Sequence, residues 1–145
     1  VAESAPGSAV TIVEDVGATG IQPYGPTAPG TILDAVGRGL EVLVPIPVRD
    51  GLPVDSSSAP AGTMPLFDTA DPERLGGTGR AFDWRLLSGL DRAFVLAGGL
   101  GPDNVAEAIS VARPFGVDAS SRLETEPGVK DPDTIRIFVQ EAKAI

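Results

Sequence analysis

Segments with the pattern of buried β-strands alternate with segments of helical character along most of this chain, and this alternation constrains the fold more than any other feature. The apolar, strand-like runs are 19–24, 41–48, 63–68, 93–97 and 116–121. The segments with helical character are 9–16, 26–39, 82–90, 102–113 and 131–144. Such alternation predicts parallel strands joined by crossover helices, either as a barrel or as an open, doubly wound sheet. The predicted fold class is therefore α/β.

The spacing of apolar residues predicts which face of each helix is buried. The predicted inward residues are, in chain order, Ala9, Ile12, Val13 and Val16; Ile32, Leu33 and Val36; Val105, Ile109 and Ala112; and Ile135, Phe138, Val139 and Ala142. Asp131 is the predicted N-cap of the last helix, with Pro132 at its first position. The nearly continuous apolar run 41–48 predicts a strand buried on both faces.

Composition bounds the classes of function that this chain can serve. The 145 residues are 42% hydrophobic, which fits one domain spanning residues 1–145. A net charge of -9 without any Lys/Arg cluster argues against a nucleic-acid partner. Cysteine and histidine are both absent, which excludes disulfides and removes the usual ligands of zinc. No run of about 18 apolar residues is present, so we expect no membrane partner and a cytoplasmic location.

Small residues follow three consecutive predicted strands. They are Gly76-Gly77-Thr78-Gly79, Gly98-Gly99 and Ser120-Ser121. Glycine allows the backbone to approach a ligand closely and to direct successive N–H groups toward one anion. The carboxyl ends of parallel strands lie on one edge, where barrel enzymes commonly bind phosphate. Together these loops predict a phosphate site.

Charged residues near these loops have two interpretations each. Asp68 ends an apolar strand, where it either caps the following turn or serves as a general acid with a raised pKa. Arg122 directly follows the serine pair, where it is either a solvated charge or a contact for an anion. Asp83 lies at the start of a helix, a position that the helix dipole explains without any further function.

Four motifs together resemble the phosphoribosylanthranilate isomerase family, whose members are (βα)8 TIM barrels of tryptophan biosynthesis. The motifs are "LFDTADPERLGGTGRAFDW", "VLAGGLGPDNVAEAI", "GVDASSRLETEPGVKD" and "IRIFVQEA". They cover roughly the second half of the chain. The resemblance implies that the chain contains about five of the eight β/α units, strands four to eight with their helices, and so forms a partial barrel.

The resemblance implies an intramolecular oxidoreductase, an aldose–ketose isomerase that performs the Amadori rearrangement of N-(5-phosphoribosyl)anthranilate. Asp68 matches the general acid of the family. The substrate phosphate is expected to bind at Gly76, Gly77, Gly98, Gly99, Ser120, Ser121 and Arg122. No metal and no organic cofactor is implied.

The chain also departs from the family pattern. The family's general base is a first-strand cysteine, and the chain contains no cysteine. The arginine that holds the anthranilate carboxylate in the family has no counterpart, and Asp118 is only a weak substitute for the base. Arg122 replaces a family glycine, and it would be strained if the backbone there requires a positive φ.

These departures leave alternatives open. The residues belong to a longer enzyme, or to a fragment that completes a barrel by association as a homodimer or domain-swapped assembly. Alternatively, they form a non-catalytic half-barrel that binds a sugar phosphate. The related sugar-phosphate isomerase of histidine biosynthesis is a further alternative, but it requires a first-strand aspartate that is absent here.

Overall fold

The computed structural model describes residues 6–49, 54–69 and 81–144. The α-helices are α1 (Pro6–Asp15), α2 (Ala28–Gly37), α3 (Val105–Ala112) and α4 (Pro132–Lys143). The strands are β1 (Gly20–Ile21), β2 (Glu41–Val48), β3 (Met64–Thr69), β4 (Val95–Leu96), β5 (Gly116–Val117), β6 (Glu124–Glu126) and β7 (Val129–Lys130). Short 3-10 turns cover Ser56–Ser58, Trp84–Leu87 and Ser121–Leu123.

Strands β1 to β5 form one sheet in the order β1-β2-β3-β4-β5, which is also their order along the chain. β1 pairs with β2 in parallel, and β4 pairs with β5 in parallel, with Val95 opposite Gly116 and Leu96 opposite Val117. Helix α2 lies between β1 and β2 and helix α3 between β4 and β5, and the α/β class is confirmed. The β6–β7 hairpin is antiparallel and was not predicted.

The chain divides into two compact units. The first contains the residues up to Ile46 together with Ser56–Leu66, and the second contains Pro47–Asp55 together with the residues from Phe67 onward. Whether these two units belong to one domain over residues 1–145 is not decided by this division, and the single domain stays a prediction.

Helix α1, in the first unit, begins and ends close to the predicted positions but buries a different stripe. It ends before Gly17, whose φ of +70° suits glycine. Ala9, Val10 and Val13 are buried, whereas Ile12 is 51% exposed and Val16 is 72% exposed. The prediction that Ile12 and Val16 face inward was therefore wrong. Apolar spacing alone does not show which stripe of a helix meets a neighbour.

Helix α2 packs against α1 and also buries a different face from the predicted one. Its buried residues are Thr31 and Ala35, while Leu33 is 73% exposed and Val36 is 40% exposed. The Thr31 hydroxyl donates to the carbonyl of Thr27 at 3.2 Å, which satisfies this polar group. Small side chains rather than large ones therefore occupy the buried stripe of α2, because small residues permit close packing.

Strand β2 alternates between buried and more exposed positions. Val42, Val44, Ile46 and Val48 are buried, whereas Leu43 and Pro45 are partly exposed and Pro47 is exposed. The expectation that both faces of this strand are buried was therefore wrong. Only one face is fully covered, and the two prolines lie on the other face.

The core of the second unit is built around two aromatic rings. Phe67 and Phe94 contact each other edge to face, with ring centroids 5.4 Å apart. Helix α3 packs against the 3-10 turn Trp84–Leu87 and against α4. It buries Val105, Ala108 and Ala112, while Ile109 is only partly buried.

Helix α4 confirms its predicted N-terminus. The Asp131 carboxylate accepts from the Asp133 N–H at 3.0 Å, and Pro132 occupies the first helical position. Phe138 is buried as predicted, but Val139 is 41% exposed, so this part of the predicted stripe was wrong. The segment 82–90, predicted as a short helix, forms only the 3-10 turn, which the side chain of Asp83 caps by accepting from the Arg85 N–H at 3.1 Å.

Candidate functional site

Asp68 lies near the end of β3, one residue before the strand terminates at Thr69. The preceding residue, Phe67, is fully buried and its carbonyl accepts from the Ala97 N–H at 2.8 Å. This bond aligns the end of β3 with the end of β4. Asp68 therefore lies beside Gly98, which follows β4.

Gly98 is packed so closely against β3 that no other residue fits. A Cβ atom on Gly98 would overlap Thr69 Oγ1 and would lie 2.6 Å from Thr69 N and 2.8 Å from Asp68 Oδ1. Its φ of +90° is also a conformation that side chains rarely adopt. Glycine is required here by both the limited space and the backbone. The carboxylate of Asp68 thus lies next to this loop.

The environment of Asp68 favours its protonated form. Partial burial is the main cause that raises the pKa of this carboxyl, and the negative charge of Asp118 raises it further. A hydrogen bond from the Thr69 backbone acts in the opposite direction. The net effect is a carboxyl that keeps its proton to a higher pH than an ordinary aspartate.

Asp118 directly follows β5, and its N–H donates to the carbonyl of Leu96 at 2.8 Å. Partial burial of the carboxyl raises its pKa, although much of the residue is exposed, and the positive charge of Lys130 lowers it. Two carboxylates thus lie at the ends of the strands that flank β4, Asp68 within β3 and Asp118 after β5, and burial raises the pKa of each.

The loop after Gly98 is held by the side chain of Asn104, the residue that precedes helix α3. The Gly99 carbonyl accepts from Asn104 Nδ2 at 3.0 Å, and the Asn104 Oδ1 accepts from the Gly101 N–H at 2.8 Å. Asn104 precedes the first residue of α3 but makes no side-chain cap bond to that helix. Its amide instead fixes the loop between Gly99 and Gly101.

Arg122 contacts the same loop from the turn after β5. Its Nη1 donates to the Gly99 carbonyl at 3.1 Å, and its Nη2 lies 2.7 and 2.8 Å from the two carboxylate oxygens of Asp103. A Cβ on Gly101 would lie 3.1 Å from Arg122 Cζ, so the glycine gives the guanidinium its space. Arg122 belongs to the 3-10 turn and is not among the positive-φ residues, since Arg113 is the one such non-glycine within the described ranges. The strain considered for Arg122 therefore does not arise.

The Ser120–Ser121 turn is held from its other side by Lys130. The Lys130 ammonium donates to the Ser120 carbonyl at 3.1 Å and to Ser120 Oγ at 3.0 Å. It also pairs with the Glu124 carboxylate at 2.6 Å, which lowers the pKa of Glu124. The hairpin that carries Lys130 therefore stabilises the Ser120–Ser121 turn through these hydrogen bonds.

The structure brings most of the predicted residues to the ends of adjacent strands. Asp68 adjoins Gly98, Arg122 contacts Gly99, and Ser120 and Ser121 follow β5. Gly76 and Gly77 lie outside the described residues. Sequence reasoning missed Asp103, Asn104 and Lys130, although the first two directly follow the glycine loop in "GGLGPDN".

A separate cavity of 510 Å³ lies in the second unit, at the other end of β4. Its lining includes Ser88, Arg92, Phe94 and Arg113. Across residues 6–49, 54–69 and 81–144, the structure holds no group of three or more His, Cys, Asp or Glu residues suited to a metal ion. Over the same ranges, each helix is too short or too polar to cross a membrane.

Comparison with known proteins places this geometry in context. The profile of the family described as "N-(5'phosphoribosyl)anthranilate (PRA) isomerase" matches residues 15–141. The N-(5'-phosphoribosyl)anthranilate isomerase of Paracoccus denitrificans is 42% identical over 132 residues. That alignment covers 86% of this chain and 61% of the relative, so the chain spans less than two thirds of that protein's length.

Two solved structures are similar over the whole chain. The phosphoribosyl anthranilate isomerase of Thermotoga maritima superimposes with a TM-score of 0.79 at 31% identity, covering 100% of this chain and 71% of that one. A phosphoribosyl anthranilate isomerase in complex with reduced 1-(o-carboxyphenylamino)-1-deoxyribulose 5-phosphate gives a TM-score of 0.76 at 28% identity, covering 100% and 70%. These neighbours show a TIM-barrel-like α/β fold.

Proposed function

The chain belongs to the phosphoribosylanthranilate isomerase family, and from this premise we propose that it supplies the general acid and the phosphate cradle of that isomerase reaction. The substrate is N-(5-phosphoribosyl)anthranilate, and the reaction is the Amadori rearrangement to a 1-deoxyribulose phosphate. The fold of the neighbours supports a finer proposal, that β1 to β5 correspond to strands four to eight of a (βα)8 barrel.

The observation that carries the proposal is the position of the Asp68 carboxylate, so near Gly98 that a Cβ there would lie 2.8 Å from Asp68 Oδ1. It brings a proton donor next to a glycine loop whose backbone can approach an anion. A sugar phosphate has the two groups that such a site needs, a ring oxygen to protonate and a phosphate to bind. Parallel sheets commonly bind ligands at the carboxyl ends of their strands.

Asp68 acts as the general acid of the first step. Burial raises the pKa of this carboxyl, which favours the protonated form that a general acid requires. Transfer of this proton to the furanose ring oxygen accompanies cleavage of the bond between that oxygen and C1. The lone pair of the anthranilate nitrogen forms the imine. A base then removes the proton at C2, and tautomerisation gives the ketose.

The phosphate is held by backbone N–H groups rather than by a cluster of cations. This fits a chain with a net charge of -9. We assign these groups to Gly98 and Gly99, whose positive φ values suit glycine, and to the start of the Ser121–Leu123 turn. The first N–H groups of a helical turn have no partner within the turn and can therefore bind an anion. Gly76 and Gly77 complete the proposed cradle.

The base that removes the C2 proton is a group outside these residues. The chain contains no cysteine and no histidine, and Asp68 is already assigned as the proton donor. We assign the base to another polypeptide segment that packs beside β1 to β5. Asp118 is the alternative within the chain.

The proposed roles separate in one pair of measurements on the protein in which these residues occur together with the segment that carries the base. The first is binding of reduced 1-(o-carboxyphenylamino)-1-deoxyribulose 5-phosphate, and the second is turnover of N-(5-phosphoribosyl)anthranilate. Asp68→Asn should retain saturable binding and reduce turnover by about 10²–10⁴-fold, the usual contribution of a general acid. The matched control is Asp91→Asn, an exposed aspartate before β4, which should change neither quantity. Turnover that is unaffected by Asp68→Asn would contradict the acid assignment.

A second candidate is a phosphate-binding module without catalysis. The observation that favours it is the absence of cysteine from a chain whose glycine and serine loops are well formed. Saturable binding of the analogue, without turnover even when the segment that carries the base is present, is the result that distinguishes this candidate. The cytoplasmic location and the association of chains stay predictions.

A further inference from the structure

The ion pair between Arg122 and Asp103 joins two loops that come from different strands. Arg122 belongs to the turn after β5, and Asp103 lies between the glycine loop and α3. The Arg122 Nη2 nitrogen contacts both carboxylate oxygens of Asp103, at 2.7 and 2.8 Å, and Nη1 donates to the Gly99 carbonyl at 3.1 Å. The pair is part of the proposed site but its charges are already satisfied by each other.

This engagement fixes the orientation of one peptide unit. The Gly99 carbonyl accepts from both Arg122 and Asn104, so its direction is set by two donors. In a planar trans peptide the N–H points opposite to the carbonyl. Holding the Gly99 carbonyl therefore also fixes the N–H of Leu100. A glycine with φ of +64° would otherwise sample many orientations.

We propose that Arg122 is a positioning residue that holds the Gly98–Gly99 loop and the Ser120–Ser121 turn together for anion binding, and that its guanidinium does not contact the phosphate. The proposal deepens the proposed function and rests on it. Asp103 acts through Arg122, because its carboxylate holds Nη2 while Nη1 donates to the Gly99 carbonyl. The glycine at position 101 is part of the same arrangement, because a Cβ there would meet the guanidinium at 3.1 Å.

Removal of the Asp103 charge distinguishes positioning from direct phosphate binding. If Arg122 were a phosphate ligand, Asp103→Asn would free its charge and strengthen binding. If Arg122 positions the loops, the same change loosens them and weakens binding. Removing a negative charge from this acidic chain by itself strengthens the binding of anions. Weaker phosphate binding by Asp103→Asn would therefore have to come from the loss of the contact with Arg122.

The experiment titrates inorganic phosphate into the 145-residue chain and follows binding by calorimetry. We expect Asp103→Asn and Arg122→Lys each to weaken binding by about three- to fivefold, the scale of a partly exposed ion pair. The double variant should be no weaker than either single variant, because both changes break the same contact. Thermal unfolding of each variant, followed alongside, should change little, which separates loop positioning from loss of the fold.

The matched control is Asp133→Asn. Asp133 also pairs with an arginine, Arg136, in the same unit, and both side chains are exposed. This variant has the same charge change as Asp103→Asn but does not contact the loops, so it should leave phosphate affinity unchanged or slightly increased.

Two results would overturn the positioning role. One is phosphate affinity that is unchanged or increased by Asp103→Asn, and the other is affinity that Arg122→Lys leaves intact. Failure of the wild-type chain to bind phosphate is a separate result. It would overturn the cradle of the proposed function, and the role of Arg122 with it.

Discussion

The carboxylate of Asp68 lies so near Gly98 that a Cβ atom on Gly98 would be 2.8 Å from Asp68 Oδ1. Asp68 lies at the end of β3 and Gly98 follows the adjacent strand β4. This proximity links the proposed proton donor to the proposed phosphate loop, and several expectations depend on it.

Gly98→Ala should destabilise the protein and abolish phosphate binding. The positive φ alone costs about 1–2 kcal/mol for a non-glycine residue, and overlap with Thr69 adds about 1–3 kcal/mol. The matched control is Gly89→Ala, because Gly89 has φ of +92° but nothing within 4 Å of a Cβ. Thermal unfolding should therefore show a larger loss for Gly98→Ala than for Gly89→Ala. Equal losses would show that the contact with β3 has no energetic effect.

Asp68→Asn should stabilise the fold at neutral pH. The folded pKa of Asp68 lies above the ordinary value of 3.8, so its contribution to stability is complete below pH 3.8 and is lost as the pH rises through the folded pKa. Asparagine does not ionise and avoids this loss. Thermal unfolding at pH 7 should give a higher midpoint for the variant, and the difference should disappear in acid. A variant less stable than the wild type at pH 7 would contradict burial as the cause of the raised pKa.

Asp118→Asn should lower the pKa of Asp68. The negative charge of Asp118 raises the pKa of Asp68, so its removal favours ionisation. Titration of the Asp68 side-chain carboxyl by carbon-13 NMR measures this directly. The shift should be downward but incomplete, because burial is the larger cause and remains. An unchanged titration would remove Asp118 from the electrostatics of the site.

The open ends of the sheet predict association. Within the described part of the chain, β1 and β5 each have a neighbour on one side only. Unpaired strand edges and exposed apolar side chains favour contacts with other chains; the latter include Ile12, Val16, Leu33 and Val36. Sedimentation of the 145-residue chain should therefore show dimers or larger species. A stable monomer of 14.8 kDa would contradict this expectation.

The α/β class and most element positions could be predicted from sequence because they depend on local periodicity and on end signals. Asp131 with Pro132 marks the start of α4 regardless of tertiary context. The buried face of a helix is different, since it depends on the neighbour. Ile12 and Leu33 are large and apolar but exposed, while Thr31 is polar and buried.

In the candidate site, too, the features that depend on local sequence could be predicted and those that depend on tertiary neighbours could not. The glycines and Asp68 could be located because they interrupt or end strand patterns. The partners of Arg122 could not be found in this way, because Asp103 is 19 positions earlier and no local pattern links them. The hairpin Glu124–Lys130 was missed because its strands are too short and too polar to show the alternation of a half-buried strand.

The most direct test of the central claim, that Asp68 and the loops after β4 and β5 form one phosphate site, is backbone NMR of the chain during titration with inorganic phosphate. Saturable shifts are predicted at the amides of Gly98, Gly99 and Ser121, together with a change in the Asp68 carboxyl signal. Shifts confined to the cavity lined by Ser88 and Arg113, at the other end of β4, would contradict the claim.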